Sequence, residues 1–188
     1  MDRDIAAICL VPPGNIAREL VAFKRRLFRA TGEALALSVP ETAILLSVPW
    51  EPGFADRDGR RRIKAVFESA WKCMEGQFRF GKTAVSSGWL VLSMENLPPA
   101  MMERLSGVLG EEKPSFEAVF PRLPAFPLFP IRDEAGDLSP ATGFLPPEMA
   151  FSSARLALFR FRLSEGMKAL AWTSIVTVRR KTGRTTAG

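Results

Sequence analysis

The residue types that carry most proton chemistry near neutral pH are missing from this chain. It contains no histidine and no tyrosine in 188 residues. Histidine is the usual general acid or base and the commonest metal ligand, so histidine-dependent catalysis is excluded. The two cysteines, Cys9 and Cys73, lack the CxxC spacing of a zinc site or a redox pair. We interpret both as buried, reduced thiols, which favours a cytoplasmic protein.

Carboxylates occur in turn-rich stretches, where they could ligate a hard metal ion. They are Asp56, Asp58, Asp133, Glu134 and Asp137. No two of them show a specific ligand spacing, and solvated loop charge accounts for them better. We therefore expect no metal site and no cofactor.

One segment, 76–83 (GQFRFGKT), matches the phosphate-loop pattern GxxxxGK[ST]. A working loop of this kind leaves a strand and opens a helix whose first amides hold the phosphates. Here the segment follows a helical pattern and leads into a strand-like run, and its interior lacks small residues. We interpret it as a glycine stop at Gly76 followed by a strand that carries Lys82 at the surface.

The elements around these residues follow from hydrophobic spacing. Apolar residues at helical spacing predict a helix between Asn15, a candidate N-cap, and Gly32, and another over 60–75. Pro98-Pro99 opens a third, with Met101 and Leu105 on its core face. Strands are predicted over 5–11, 34–37, 43–48, 77–82, 89–94, 154–163 and 172–179. In the proline-rich stretch from 110 to 147, only 118–123 and 126–131 could be strands, and proline favours sheet edges or extended segments for both. This order predicts an α+β fold with mainly antiparallel sheets.

The segment 40–50 (PETAILLSVPW) resembles the first motif of the two-histidine phosphoesterases, the 2′-5′ RNA ligase and cyclic-phosphodiesterase group. In that family a strand carries His-x-Thr, often followed by a Pro-aromatic pair. The overlay places Ala43 at the histidine and Leu45 at the threonine. The best second match is 124–128 (PAFPL), with Ala125 at the histidine and Pro127 at the threonine. An alternative register places Arg155 at the second histidine.

The resemblance implies two βαββ-like halves, about 1–95 and 96–179, around a central groove, with helices outside. The sequence itself predicts a disordered basic tail over 180–188. In the family, one histidine acts as base and the other as acid, without a metal. Each such group contributes about 10²–10⁴ in rate. Alanine, leucine and proline side chains cannot transfer protons, so the resemblance implies a pseudoenzyme that does not turn over the family's substrates.

RNA or a nucleotide-like anion is the first hypothesis for the partner, because the family acts on RNA phosphates and the chain carries a net charge of +6. Basic clusters lie at 24–29, 57–64 and 179–184, and the first is expected on the outer face of its helix. The candidate ligand-binding residues are Arg79, Lys82, Arg122, Arg132, Arg155, Arg60, Arg61, Arg62 and, for base stacking, Trp50.

Two other functions remain open. The Pro/Phe-rich segment 116–151 could be the contact surface of a protein-interaction module. Alternatively, the chain could be an enzyme with unrelated, histidine-free machinery, although no residue is nominated for it. No stretch approaches the 18 or so apolar residues of a membrane span, so we expect no membrane partner.

Overall fold

The computed structural model describes residues 3–32, 35–86, 88–109, 120, 124–130, 149–164 and 170–180. Four α-helices lie within them: α1 (Gly14–Thr31), α2 (Leu35–Ser38), α3 (Arg57–Trp71) and α4 (Pro99–Leu109). A 3₁₀ turn covers Pro52–Phe54. The strands are β1 (Arg3–Val11), β2 (Ala43–Pro49), β3 (Phe78–Ser86), β4 (Trp89–Glu95), β5 (Ala125–Pro130), β6 (Ala150–Phe151), β7 (Arg155–Leu163) and β8 (Leu170–Arg179).

All eight strands form one antiparallel sheet in the order β6-β3-β4-β5-β2-β1-β7-β8, which confirms the predicted α+β class. β1 pairs with β7 along its whole length. β2 and β5, by contrast, are registered only through Ile44 and Ala125. The sheet therefore has two four-stranded halves that meet at this pair. Each half draws strands from both parts of the sequence, so they do not coincide with 1–95 and 96–179.

The helices α1, α3 and α4 cover one face of the sheet. Alternate residues of β1, namely Ala6, Ile8 and Leu10, pack against the apolar stripes of these helices. Phe23 of α1 and Phe67 of α3 are fully buried in this core. Burying a side chain of this kind stabilises the fold by roughly 1.5–3 kcal/mol. The helices thus lie on an outer layer, as predicted.

The opposite face of the sheet carries a second apolar cluster. It is built from Ile5, Ala7, Cys9, Ile44, Trp89, Val91, Phe120, Ala125, Ala157, Phe159 and Phe161, among others. The ring of Phe120 lies 5.9 Å from that of Trp89 and 4.9 Å from that of Phe161, centroid to centroid. Where the structure describes it, the face expected to line a central groove is therefore filled by aromatic side chains.

Helices and strands predicted from a hydrophobic pattern over many residues were confirmed. α1 ends at Gly32, whose φ of 75° is the left-handed conformation of a helix stop. The segment 76–83 follows α3 and runs into β3, so the helix required of a phosphate loop is replaced by a strand. Arg180, placed at the start of the tail, is held by hydrogen bonds to the carbonyls of Met74, Gly76 and Ser152. Residues 181–188 lie outside the described part.

Two local predictions were wrong. Residues 35–38 form the short helix α2 rather than a strand. An apolar run of about four residues is too short for its hydrophobic spacing to distinguish a helix from a strand. Asn15 is not the N-cap of α1: Pro13 holds that position, and no side chain caps the helix. Among the residues described, no helix combines the length and apolar character needed to cross a bilayer.

Candidate anion-binding surfaces

The four positions taken from the family motif lie on different faces of the sheet. Ala43 and Leu45 project into the helix-covered core. Ala125 belongs to the opposite cluster, and Pro127 pairs with Val91 of that same cluster. Ala43 and Ala125 sit on neighbouring strands, but Ile44 is the residue registered with Ala125. The structure therefore does not bring these four positions to one groove.

The predicted arginines near the motifs do not converge either. Arg79 is exposed on β3, opposite Glu95 of β4. Arg155 is exposed at the start of β7, opposite Val11. Four strands separate β3 from β7 in the sheet. Arg122, Arg132 and the side chain of Lys82 lie outside the described residues.

Trp50 is already in contact with a cation. The guanidinium of Arg160 lies over its ring, 4.8 Å from the centroid, and Phe54 packs edge-on at 5.8 Å. Arg160 also forms an ion pair with Asp4, whose other oxygen lies 3.3 Å from Nε of Arg162. The hydrogen bond from Arg160 holds the pKa of Asp4 below its usual value. Asp4 balances one of the two guanidinium charges, and Arg160 covers the stacked face of Trp50.

Helix α3 presents the basic face that the sequence predicts. Asp56 caps the helix by accepting a hydrogen bond of 2.6 Å from the amide of Gly59. Nε of Arg60 donates to the carbonyl of Ala55 at 2.7 Å, so this side chain is partly committed. The other basic residues of the helix, Arg57, Arg61, Arg62 and Lys64, are exposed and have no ion-pair partner among the described residues.

Helix α1 carries a second basic site on its exposed face. Arg25, Arg26 and Arg29 line an open cleft of about 460 Å³, together with Glu19 and Ala22. The short side chain of Ala22, one turn before Arg25 and Arg26, leaves room between the longer ones. Arg26 lies over the ring of Phe23, 5.7 Å from its centroid, which fixes part of its stem. Three guanidinium groups and one carboxylate thus share an open site on the exposed face of a single helix.

Lys24 corrects the expectation that the whole 24–29 cluster is on the outer face. It is 1% exposed, because position 24 follows Leu20 by one turn and faces the sheet with it. Its Nζ donates to the carbonyl of Val39, lies 3.8 Å from a carboxylate oxygen of Glu41 and sits 5.2 Å from the ring centroid of Phe126. Burial lowers the pKa of Lys24 to about 8. This amine is part of the core and cannot serve as a surface contact.

The two thiols differ in their burial. Burial raises the pKa of Cys9 to about 12, so its thiol is inert near neutral pH. Cys73 is free and half-buried, less enclosed than the sequence suggested. Within the described ranges, no three metal-ligating side chains come together.

The described part of the Pro/Phe-rich segment belongs to the core. Phe120, Phe126 and Phe151 are buried, and Phe126 packs edge-on against Phe80 with ring centroids 6.0 Å apart. Their burial corrects the idea that Phe126 lies on a contact surface. The rest of 116–151 lies outside the described residues, so its proposed role as a contact surface stays a prediction.

No family model matches this chain, and no curated protein matches its sequence. Among solved structures, it is similar to the crystal structure of E. coli LigT in its apo form. The identity is 12%, over 95% of this chain and 98% of that one, with a TM-score of 0.49. Function must therefore be argued from the side chains.

Sequence reasoning named the basic cluster that contains the α1 cleft but did not single it out. The available signal was the small residue Ala22 placed one turn before Arg25 and Arg26, and two turns before Arg29. Small residues beside basic ones on the polar face of a helix open space for an anion. The ion-paired cluster around Asp4 was missed because Asp4 lies on β1 and Arg160 and Arg162 lie on β7, which is distant from β1 in sequence.

Proposed function

We propose that this protein binds RNA or a nucleotide-like anion without turning it over, and that the arginines of the α1 cleft make the principal contacts. The observation that carries the proposal is the convergence of Arg25, Arg26 and Arg29 on one open cleft with a single carboxylate. A guanidinium presents a planar fork of donors that fits two phosphate oxygens at once. The cleft is therefore suited to a phosphate group rather than to an apolar guest.

The basic face of α3 supports the same ligand class. Arg57, Arg61, Arg62 and Lys64, which have no ion-pair partner in the described part of the chain, add positive charge on a second exposed helix face. Affinity for a nucleic acid grows with the number of phosphates that basic side chains neutralise. A polyanion can use both helices, whereas a mononucleotide fills the α1 cleft alone.

Turnover is not part of the proposal, because the chain lacks groups that could move a proton at the motif positions. It has no histidine, and Ala43, Leu45, Ala125 and Pro127 carry no titratable side chain. Substrates with a cyclic phosphate or a 2′-5′ linkage should stay intact in its presence. The two free thiols suit a reducing compartment, so we place this binding activity in the cytoplasm.

The first test is fluorescence anisotropy of a short, labelled single-stranded RNA titrated with the protein at several salt concentrations. We expect saturable binding whose log affinity falls linearly with log salt, by about 0.7 for each phosphate contacted. An RNA that stays unbound even at low salt would refute the proposal.

Two variants with the same change in charge locate the site. Arg25→Glu/Arg29→Glu alters the cleft, and Arg61→Glu/Arg62→Glu alters α3; all four side chains are exposed, so the fold should survive. Losing bidentate phosphate contacts should cost the α1 variant about tenfold or more in affinity, and the α3 variant roughly two- to threefold. Equal losses would mean that net charge, not the cleft, binds the RNA.

A further inference from the structure

Arg160 and Arg162 of β7 project from the face of the sheet that the helices pack on, in a part of it that stays open to solvent. They are registered with Ala6 and Asp4 of β1, and Ala6 belongs to the core under the helices. One carboxylate oxygen of Asp4 is ion-paired with Arg160, and the other lies 3.3 Å from Nε of Arg162. A single carboxylate thus holds two guanidinium groups together, and the pair keeps a net positive charge.

A small cleft of about 190 Å³ lies beside the two arginines, over strand β8 and on the side away from β1. Arg160 is registered with Thr173 and Arg162 with Ala171, so two short side chains lie on the same face as two long ones. This difference in length leaves the space that the cleft occupies. Ile175, which sits in a bulge of β8, also lines it. No carboxylate is found among the described residues that line the cleft, which are Arg160, Arg162, Ala171, Trp172, Thr173 and Ile175.

Contacts on two sides hold the guanidinium of Arg160 in place. It lies over the ring of Trp50, 4.8 Å from the centroid, and it is ion-paired with Asp4. Its Nε is buried and has no hydrogen-bond partner in the described part of the chain, so the positive charge of this group is only partly compensated there. A cation that is already ordered loses less conformational freedom when it binds an anion, which favours binding.

We propose that Arg160, Arg162 and Thr173 bind one phosphate group, either as free phosphate or as the phosphomonoester of a small molecule. A phosphomonoester carries a charge of about −1.5 to −2 at pH 7 and three strong acceptor oxygens. Two guanidinium groups can donate to these oxygens together, and the hydroxyl of Thr173 supplies a further donor. A carboxylate, with one charge and two oxygens, would be satisfied by one arginine alone.

The size of the cleft limits what it can enclose. Its volume is below the roughly 300–1,000 Å³ of sites that bury a whole small molecule, so it encloses the phosphate group and leaves the rest of an ester outside. It shares no lining residue with the α1 cleft. This second site therefore stands or falls independently of RNA binding at α1.

The experiment is a titration of the full chain with inorganic phosphate, followed by amide NMR spectra at constant ionic strength. The chain carries Arg25→Glu/Arg29→Glu, so that the α1 cleft does not contribute and failure of one proposal is distinguishable from failure of the other. We expect saturable shifts of the amides of 160–162 and 171–175, and binding of acetate at least about tenfold weaker. Ribose 5-phosphate separates the two sources: tighter binding than phosphate identifies an ester as the ligand, and equal or weaker binding identifies the free ion.

Three further variants in the same background locate the site. Arg162→Gln removes a guanidinium of the cleft and should raise the dissociation constant for phosphate at least about tenfold. Arg179→Gln, the same change in charge at an exposed position of β8 outside the cleft, should raise it less than about twofold. Ala171→Leu fills the cleft without changing the charge and should weaken binding as much as Arg162→Gln; position 171 is exposed, so the fold should survive.

Four results would overturn the proposal. They are the absence of saturable shifts at β7 and β8, equal affinity for phosphate and acetate, equal effects of the two glutamine variants, and unchanged affinity in Ala171→Leu.

Discussion

Ile44 of β2 is registered with Ala125 of β5, and no other described pair joins the two four-stranded halves of the sheet. Backbone pairing therefore contributes little at this junction, and side-chain packing must hold it. Both residues are buried in the cluster on the face away from the helices.

Truncating a buried side chain at this junction should lower the free energy of unfolding substantially. Ile44→Ala removes three buried carbons where no ladder of hydrogen bonds compensates, and we expect a loss of about 2–5 kcal/mol in the free energy of unfolding. Val85→Ala is the matched control, because Val85 is 57% exposed on β3 and its truncation should cost about 0.5 kcal/mol or less. Urea unfolding followed by circular dichroism measures the free energy of unfolding of both variants. Equal losses would show that packing at the junction contributes no more to stability than an exposed side chain does.

Restoring histidine at the motif positions should not restore catalysis. Ala43→His/Ala125→His places the two imidazoles on opposite faces of the sheet, at positions with almost no exposure. Overpacking and burial of polar rings should cost about 1–3 kcal/mol at each site. Turnover of a cyclic-phosphate substrate by the folded double variant would contradict the observed register.

Lys24 should make stability rise with pH just above neutrality. Its folded pKa of about 8 lies below the ordinary lysine value of 10.5, so above pH 8 the unfolded state binds more protons and the folded state gains relative stability. Cys9 acts in the opposite direction above pH 9, because its folded pKa is raised to about 12.

Urea unfolding should therefore show stability increasing from about pH 8 to pH 9, by at most about 1.4 kcal/mol per pH unit, and flattening above pH 9. Cys9→Ala should extend the rise toward pH 10.5, and Lys24→Met should abolish it. The chain has no tyrosine to titrate in this window. A rise that persists in Lys24→Met would assign the effect to another group.

Arg180 should stabilise the turn that precedes β3. Its guanidinium donates to the carbonyls of Met74, Gly76 and Ser152, at 2.9–3.0 Å. Arg180→Ala leaves these acceptors without a protein donor and should cost about 1–3 kcal/mol. Arg180→Lys should rescue little, because an ammonium cannot bridge three acceptors in a fork. The neighbouring variant Arg179→Ala, at an exposed position, should be nearly neutral in the same thermal melts.

Elements with a long apolar period could be predicted from sequence, and their placement could not. The stripe through Leu20 and Phe23 specifies α1, since helical spacing is a local property. The faces of β2 depend on a register shift that leaves Leu45 without a partner between Ile8 and Cys9 of β1, and no local pattern records this shift. A shift of one residue turns every side chain to the other face of the sheet, which is why the motif overlay separated Ala43 from Ala125.

For the candidate site, the sequence predicted a cluster of basic residues and not their detailed contacts. The basic run at 24–29 predicts a basic helix face. The burial of Lys24, however, depends on contacts with Val39 and Glu41 that form only in the tertiary fold. The proximity of Arg25 and Arg29, by contrast, is a local property, because residues four apart are neighbours on one helix face. Arg122 and Arg132, which sequence proximity nominated, lie outside the described residues and remain predictions.

The pairing of β1 with β7 also affects how the chain is made. Val11 is registered with Arg155, and β1 therefore emerges from the ribosome long before its partner strand has been translated. Until then the run IAAICLV has β2 on one side and an open edge on the other. Strands that are far apart in the sequence pair late in folding. The half of the sheet that contains β1 and β7 should therefore complete its folding only after most of the chain is synthesised. During that interval the nascent chain is a natural client for chaperones that cover apolar strands.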